Sequence, residues 1–324
     1  MMDRVETRFA YGDALAALGA QNPNVVVLDA DLYNSTRSSV FKARFPERFF
    51  DMGIAEQDMV SVSAGMAASG LVPFCNSFAI FITGRAYDQI RLQLCYAGLP
   101  VRLVGSSAGL TLGADGASHQ SLEDISLMRG LPNMTVVIPA DDLETQQATM
   151  ALADHPGPAY FRLGRYPVPR LNAADYRFEI GKMTRLQDGN DVAIFATGHM
   201  VWMAIRAAEL LQAAKISARV INVSTIKPLD DQAVLSEVVG MQAAFSLEEH
   251  SIIGGLGSAI AEVLSENMTE PVLFRRLGVR DRFGESALAD ELLELHRLQP
   301  NLICEDITRA LSALARASTR VPRS

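Results

Sequence analysis

Cysteine is scarce in this chain. The three present, Cys75, Cys95 and Cys304, are odd in number and show neither a Cys-x-x-Cys pair nor a Cys/His set at metal-ligand spacing. That argues against a disulfide framework and a structural zinc site and leaves buried, reduced thiols. Positive charge is also in short supply. The formal net charge is −8 and no sustained Lys/Arg patch occurs, which argues against binding by neutralisation of a phosphate backbone, so nucleic acid is not an expected partner. An uninterrupted apolar run of about 18 residues, the minimum for crossing a bilayer, is missing as well. The first eight residues, Met1 to Arg8, are charged where a signal peptide would carry its apolar core. The expectation is a cytoplasmic protein with no membrane association. Internal repeats and low-complexity tracts are absent.

What is present points to a folded metabolic protein. The 324 residues are 49% hydrophobic and 20% charged, rich enough to bury large cores, and at about 100 to 200 residues per domain the length implies two domains. Apolar runs bounded by turn residues alternate with helix-period stretches throughout, the pattern of parallel strands joined by crossover helices. The fold class is therefore α/β. Expected strands are Val25–Leu28, Val101–Val104, Thr135–Ile138 and Tyr160–Arg162, then Val192–Phe195, Ala218–Asn222, Ala243–Ser246 and Val272–Phe274. Between the two sets, Tyr166–Asp175 and Leu186–Asn190 carry prolines and turn residues without periodicity and read as connector, with the boundary near residue 180. The polar, basic tail Arg316–Ser324 is expected to fray.

Several short segments could carry chemistry. Glu56, in Asp51-Met-Gly-Ile-Ala-Glu56-Gln57, stands at the start of an expected helix; by itself it is an acid favoured by the helix dipole. Phe78 and Phe81 have the i, i+3 spacing of core aromatics. Gly113-Ala-Asp115-Gly116-Ala-Ser118-His119-Gln120 is an irregular, glycine-containing loop that can bring an acid and a histidine to a ligand. Asp31 lies just past the end of a strand, where open α/β sheets bind ligands or where a turn takes an aspartate. The segment from Glu248 to Ser258 is rich in glycine, but its spacing is not Gly-x-Gly-x-x-Gly, so dinucleotide binding is rejected and His250 is read as structural.

In combination, the Asp51–Gln57 and Gly113–Gln120 motifs resemble the C-terminal half of transketolase. The resemblance covers essentially the whole chain and implies two three-layer α/β/α domains, a pyrimidine-binding domain over 1–175 and a C-terminal domain over 185–324, with 176–184 as linker. It implies thiamine diphosphate as cofactor. Glu56 is then the acid that hydrogen-bonds the pyrimidine N1′, and a carboxyl in an apolar, water-poor site can stay protonated near neutrality for that task. Phe78 and Phe81 match the aromatic platform under the pyrimidine, while Gly84 stands where many transketolases have another aromatic. Asp31 matches an acid beside the cofactor. Asp115 is implied to contact a substrate hydroxyl and His119 the donor's carbonyl or C1 hydroxyl. Arg8, Ser35 and Arg162 match part of a sugar-phosphate set in which Ser107 replaces a histidine; arginine forks suit phosphate, sulfonate or carboxylate alike.

The Gly-Asp-Gly motif, with Asn about 25 to 30 residues further on, through which the other half of such enzymes holds Mg²⁺ and diphosphate, is not found, nor is another set of oxygen ligands for that ion. No metal ligand is therefore assigned to this chain. The implied partner is an N-terminal transketolase subunit carrying the pyrophosphate-binding domain and the Mg²⁺ ligands, in a heterotetramer with two copies of each subunit. The implied reaction moves a two-carbon ketol unit from a ketose or its phosphate to an aldose. The rivals are the β subunit of a 2-oxoacid dehydrogenase, a relative of deoxyxylulose-phosphate synthase, and a non-catalytic scaffold subunit.

Overall fold

The computed structural model describes residues 4–270 and 272–320. Residues 1–3 of the charged N-terminus and residues 321–324 of the polar tail lie outside them. The chain starts with a two-residue strand, β1 (Arg4–Val5), and continues through β2 (Val25–Asp29), β3 (Phe49–Asp51), β4 (Val72–Phe78), β5 (Arg102–Ser106), β6 (Thr135–Val137) and β7 (Ala159–Arg162). Next come β8 (Val168–Pro169), β9 (Thr184–Gln187), β10 (Val192–Ala196), β11 (Ala218–Asn222), β12 (Thr225–Lys227), β13 (Ala243–Ser251) and β14 (Leu273–Val279). The first large sheet has the order β12-β6-β7-β5-β4-β2-β3 and the second β14-β13-β10-β11-β9, while β1 pairs antiparallel with β8.

Burial on both faces explains the sequence of the central strands. In β2, Val25 and Val27 enter one cluster with Tyr11, Phe74 and Phe161, and Val26 and Leu28 enter another with Met59, Cys75 and Leu103. Alternate residues point to opposite faces, so a parallel strand covered on both sides must be apolar throughout, as Val-Val-Val-Leu is. The second of these clusters does not stop at the domain boundary; it also contains Phe195, Ile221, Ala244 and Ile260. The two domains therefore share one apolar core.

The expected strands all form, with shifts of a few residues at their ends, and the α/β class holds. Four features differ from the sequence reading. β4 was not foreseen; it is a fully fledged interior strand between β2 and β5 despite Pro73, Asn76 and Ser77. Leu186 and Gln187, read as connector, belong to β9, which runs antiparallel to β11. β12 leaves the C-terminal half to pair antiparallel with β6, so the second half supplies the edge strand of the first half's sheet. The tail is helical through Arg320, at the end of the helix Pro300–Arg320. No helix among the described residues is long and apolar enough to cross a membrane.

Candidate active site

In an open α/β sheet the crevice at the carboxyl ends of the strands, where the strand order reverses, is the place for a ligand. In the first sheet β3 lies on one side of β2 and β4 on the other, so the reversal falls between β2 and β4. Beyond the end of β3, the backbone N–H groups of Asp31 and Gly53 both donate to Asp51 Oδ1 at 3.2 Å, and Gly53 turns at φ +67°. This turn delivers Glu56 to the start of the helix Glu56–Ala68. Glu56 is only 1% exposed. Ser77, at the end of β4, donates to its Oε1 at 3.1 Å, and Arg85 Nη1 donates to its Oε2. The acid expected in an apolar, water-poor site is buried, and a hydroxyl and a guanidinium meet it there.

The Arg85 guanidinium also lies 4.9 Å over the centre of the Phe81 ring. Phe81 stacks on Phe78 with centroids 6.0 Å apart and planes 14° from parallel, and the His119 ring stands edge-on to both, 5.2 Å from Phe81 and 6.2 Å from Phe78. Phe78 is buried and Phe81 half-buried. Arg165 lies over Phe78, 5.1 Å from that ring's centre. Its Nε donates to Ser107 Oγ at 2.8 Å and its Nη1 is 3.6 Å from Asp115 Oδ2. Burial, and then the nearby charge of Arg8, push the Arg165 guanidinium below its ordinary value. Arg8 pairs with Glu6 at 2.5 Å and donates to the carbonyl of Ser35 at 2.8 Å. One continuous face therefore runs from Glu56 and Arg85 through Phe81, His119 and Phe78 to Arg165, Asp115 and Ser107, with Arg8 and Ser35 alongside.

Two of the residues singled out from the sequence stand apart. Asp31 is exposed, in the left-handed region at φ 61°, and its described contact is the backbone bond to Asp51. Arg162 is a correction. It is 6% exposed and points inward from β7, where its Nε donates to Asp124 Oδ2 at 2.7 Å and its Nη2 to the carbonyl of Glu249 at 3.0 Å. The same Asp124 oxygen accepts from the Tyr160 hydroxyl at 2.6 Å. Burial alone would raise the Asp124 carboxyl, but the Arg162 charge, together with the hydrogen bonds from Arg162 and Tyr160, helps hold it below the ordinary carboxylate range. An arginine paired and buried in this way has no fork left for a substrate. Arg165, three residues further on, takes its place on the face. The clue in the sequence was position: Arg165 follows β7 at the carboxyl edge of the sheet.

Beneath the face lies a second buried polar group, at the end of β13. Glu248 accepts the N–H groups of Leu256 at 2.7 Å and Gly257 at 2.8 Å, so the glycine-rich turn is capped by the chain's own carboxylate. Burial pushes Glu248 and Glu249 up to about 7, and it pushes His199 down to about 3 and His250 down to about 4. Glu249 Oε2 and His199 Nδ1 are 3.4 Å apart. With both groups driven toward their neutral forms, the contact is a polar one more than an ion pair. His250 Nε2 accepts from the N–H of Ser126 at 3.4 Å, a structural contact. The cysteines are free, and burial pushes the thiols of Cys75 and Cys95 up to about 12 and about 11.

The sheets and the face define an open, two-domain α/β protein with a ligand face at the switch point of its first sheet. Residues 3–169 match the family described as "Transketolase, pyrimidine binding domain", and residues 181–303 match "Transketolase, C-terminal domain". The chain belongs to the transketolase family. It is 43% identical over 93% of its length to a "Putative transketolase C-terminal section" of Methanocaldococcus jannaschii, covering 94% of that protein. It is likewise 43% identical to the "6-deoxy-6-sulfo-D-fructose transketolase subunit SqwH" of a Clostridium species, over 94% of this chain and 92% of that one. A solved structure titled "Split gene transketolase, inactive beta4 tetramer" superposes with a TM-score of 0.88 at 46% identity, covering 95% of this chain and 99% of that chain.

Proposed function

We propose that this chain is the C-terminal subunit of a split, thiamine diphosphate-dependent transketolase, which transfers a two-carbon ketol unit from a ketose to an aldose together with an N-terminal subunit. The observation that carries the reading is the meeting of Glu56, Phe81 and His119, from three separate segments, at one switch point. When bound, thiamine diphosphate would supply a nucleophilic carbon for the ketose carbonyl and an electron-accepting ring for the pair released as the C2–C3 bond breaks.

The residues fit the pyrimidine end of that cofactor. Phe81, half-buried and stacked on Phe78, would lie against the pyrimidine ring. Glu56 holds a proton at the pyrimidine N1′; each carboxylate oxygen, though engaged by Ser77 or Arg85, can accept a further bond. His119 bonds the donor's carbonyl or C1 hydroxyl, and Asp115 a hydroxyl further along. Asp31 stands at the switch point beside the cofactor. Arg165 and Arg8, close enough for one charge to depress the other, bind the distal anion with Ser35 and Ser107. A phosphate or a sulfonate satisfies that pair. Among the described residues there is no group of three or more His, Cys, Asp or Glu that could hold a metal ion, and no ligand of the diphosphate or Mg²⁺ is assigned to this chain. The N-terminal subunit supplies those ligands, in a cytoplasmic assembly of two copies of each subunit. A related chain that forms a β4 tetramer described as inactive supports this division.

Reconstitution tests the reading. Mixed with the N-terminal subunit, cofactor and Mg²⁺, the wild-type chain converts a ketose and aldose pair and leaves pyruvate untouched, and Glu56→Gln lowers turnover by roughly 100-fold or more. Turnover of Glu56→Gln within a few fold of wild type would sink the proposal; preference for pyruvate would move the chain to the oxoacid branch.

A further inference from the structure

The second sheet has a switch point of its own. It falls between β10 and β13, whose outer neighbours β11 and β14 lie on opposite sides, and the loop that carries Asp115 and His119 meets β13 near its end. Glu249, 2% exposed near the end of β13, accepts the backbone N–H of Thr111 through Oε1. Gly109, at φ +84°, passes so close that a Cβ there would lie 2.2 Å from Glu249 Oε2. At the loop's other end Gln120 Nε2 donates to the carbonyl of Glu285 at 2.9 Å, as well as to those of Leu110 and Gly113 at 3.3 and 3.1 Å. A Cβ on Gly116 would stand 2.3 Å from Ser286 Oγ.

The C-terminal domain thus holds the loop before Asp115 and after His119. Gly109, Gly113 and Gly116 all have positive φ, so the segment is intrinsically permissive and takes one shape only where something outside imposes it. We propose that Glu249 is a positioning residue: through it the C-terminal domain sets the 109–120 loop and so aims Asp115 and His119 at the Phe78–Phe81 pair. This rests on the transketolase reading for its consequence in catalysis, but the grip itself does not.

Amide hydrogen exchange on the full chain separates the two. In Glu249→Ala, exchange across residues 110–120 accelerates by roughly tenfold or more while β2, β4 and β5 keep their protection; Glu249→Gln, which retains an acceptor oxygen, restores most of it. In the complex with the N-terminal subunit, Glu249→Ala raises KM for the ketose donor by roughly tenfold, and the Kd for thiamine diphosphate stays within about twofold of wild type. Unchanged exchange at 110–120 in Glu249→Ala overturns the proposal, as does an even loss of protection through both domains, which would make Glu249 a general support. If Glu249→Ala does not fold, Gln120→Ala serves: local acceleration supports the grip and none overturns it. A wild-type complex inert toward ketoses refutes the transketolase reading and leaves the exchange result to judge the grip.

Discussion

At the scale of single residues, burial and pairing separate groups that look alike in the sequence. Arg162 and Arg165 stand three positions apart and carry the same charge, yet one is sealed against Asp124 and the other lies on the open face. Arg162→Ala therefore leaves a buried carboxylate unpaired and should cost about 3 to 5 kcal/mol in denaturant unfolding. Arg165→Ala should leave stability within about 0.5 kcal/mol. In the reconstituted enzyme it should raise KM about 100-fold for anionic donors, with a much smaller effect on a donor lacking the anion; equal effects on both donors would remove Arg165 from the anion site. Glu249 carries a pH signature. Its folded-state value lies above the unfolded one, so the folded protein holds that proton more tightly and the cost of the buried charge grows as pH rises from about 4.5 to about 7. The stability of Glu249→Gln relative to wild type should therefore improve across that window and level off above it, as read from denaturation midpoints. A difference that does not vary with pH would contradict it.

At the scale of elements, the motif residues were legible because each is a short local pattern, whereas β4, the strand that ends in Phe78, was not. β4 reads poorly as a strand, since Pro73, Asn76 and Ser77 interrupt its apolar run. Its polar residues are tolerated because each finds a partner: Tyr11 donates to Asn76 Oδ1 at 2.7 Å, Asn76 Nδ2 donates to the carbonyl of Leu28 at 3.0 Å, and Ser77 donates to Glu56. Those partners lie far away in sequence, so no periodicity could announce them. Asp31 and Ser35 sit on the turn after β2, which is tied together by Asp29: its carboxylate accepts from Leu32 N, Thr36 Oγ1 and Ser38 Oγ at 2.6 to 2.8 Å. Asp29→Ala should unravel this turn and cost about 2 to 3 kcal/mol, the price of three lost bonds at a buried site, detectable as a lower melting temperature and faster exchange at residues 31–38.

At the scale of the whole molecule, the two halves are less separable than a linker at 176–184 suggests. The edge strand β12 and the apolar cluster that includes Phe195 and Ile221 bind the second half to the first. A single cooperative unfolding transition for the full chain is the expected outcome, and a fragment ending near residue 180 should melt without cooperativity, having lost its edge strand and one wall of its core. Two resolved calorimetric transitions, or a fragment that melts as sharply as the full chain, would refute this. The buried histidines and acids pull in opposite directions: His199 and His250 have folded-state values below the unfolded one, so the stability they contribute is complete above about 6.5 and is lost as the pH falls, whereas Glu248 and Glu249, raised to about 7, favour the fold as the pH falls over the same window.

Sequence alone determined the class of fold, the position of eight central strands and the main residue types of the face, because apolar periodicity and the Glu56 and His119 motifs are properties of neighbours along the chain. Tertiary structure alone decided which charged groups are free to act. Glu56 meets Arg85, Arg162 turns inward to Asp124, Arg165 turns outward, and the acids at 248 and 249 hold backbone amides instead of a ligand. The reason is physical: the cost of a buried charge and the partner that offsets it depend on distances in space between segments remote in sequence, and composition or spacing does not encode those distances.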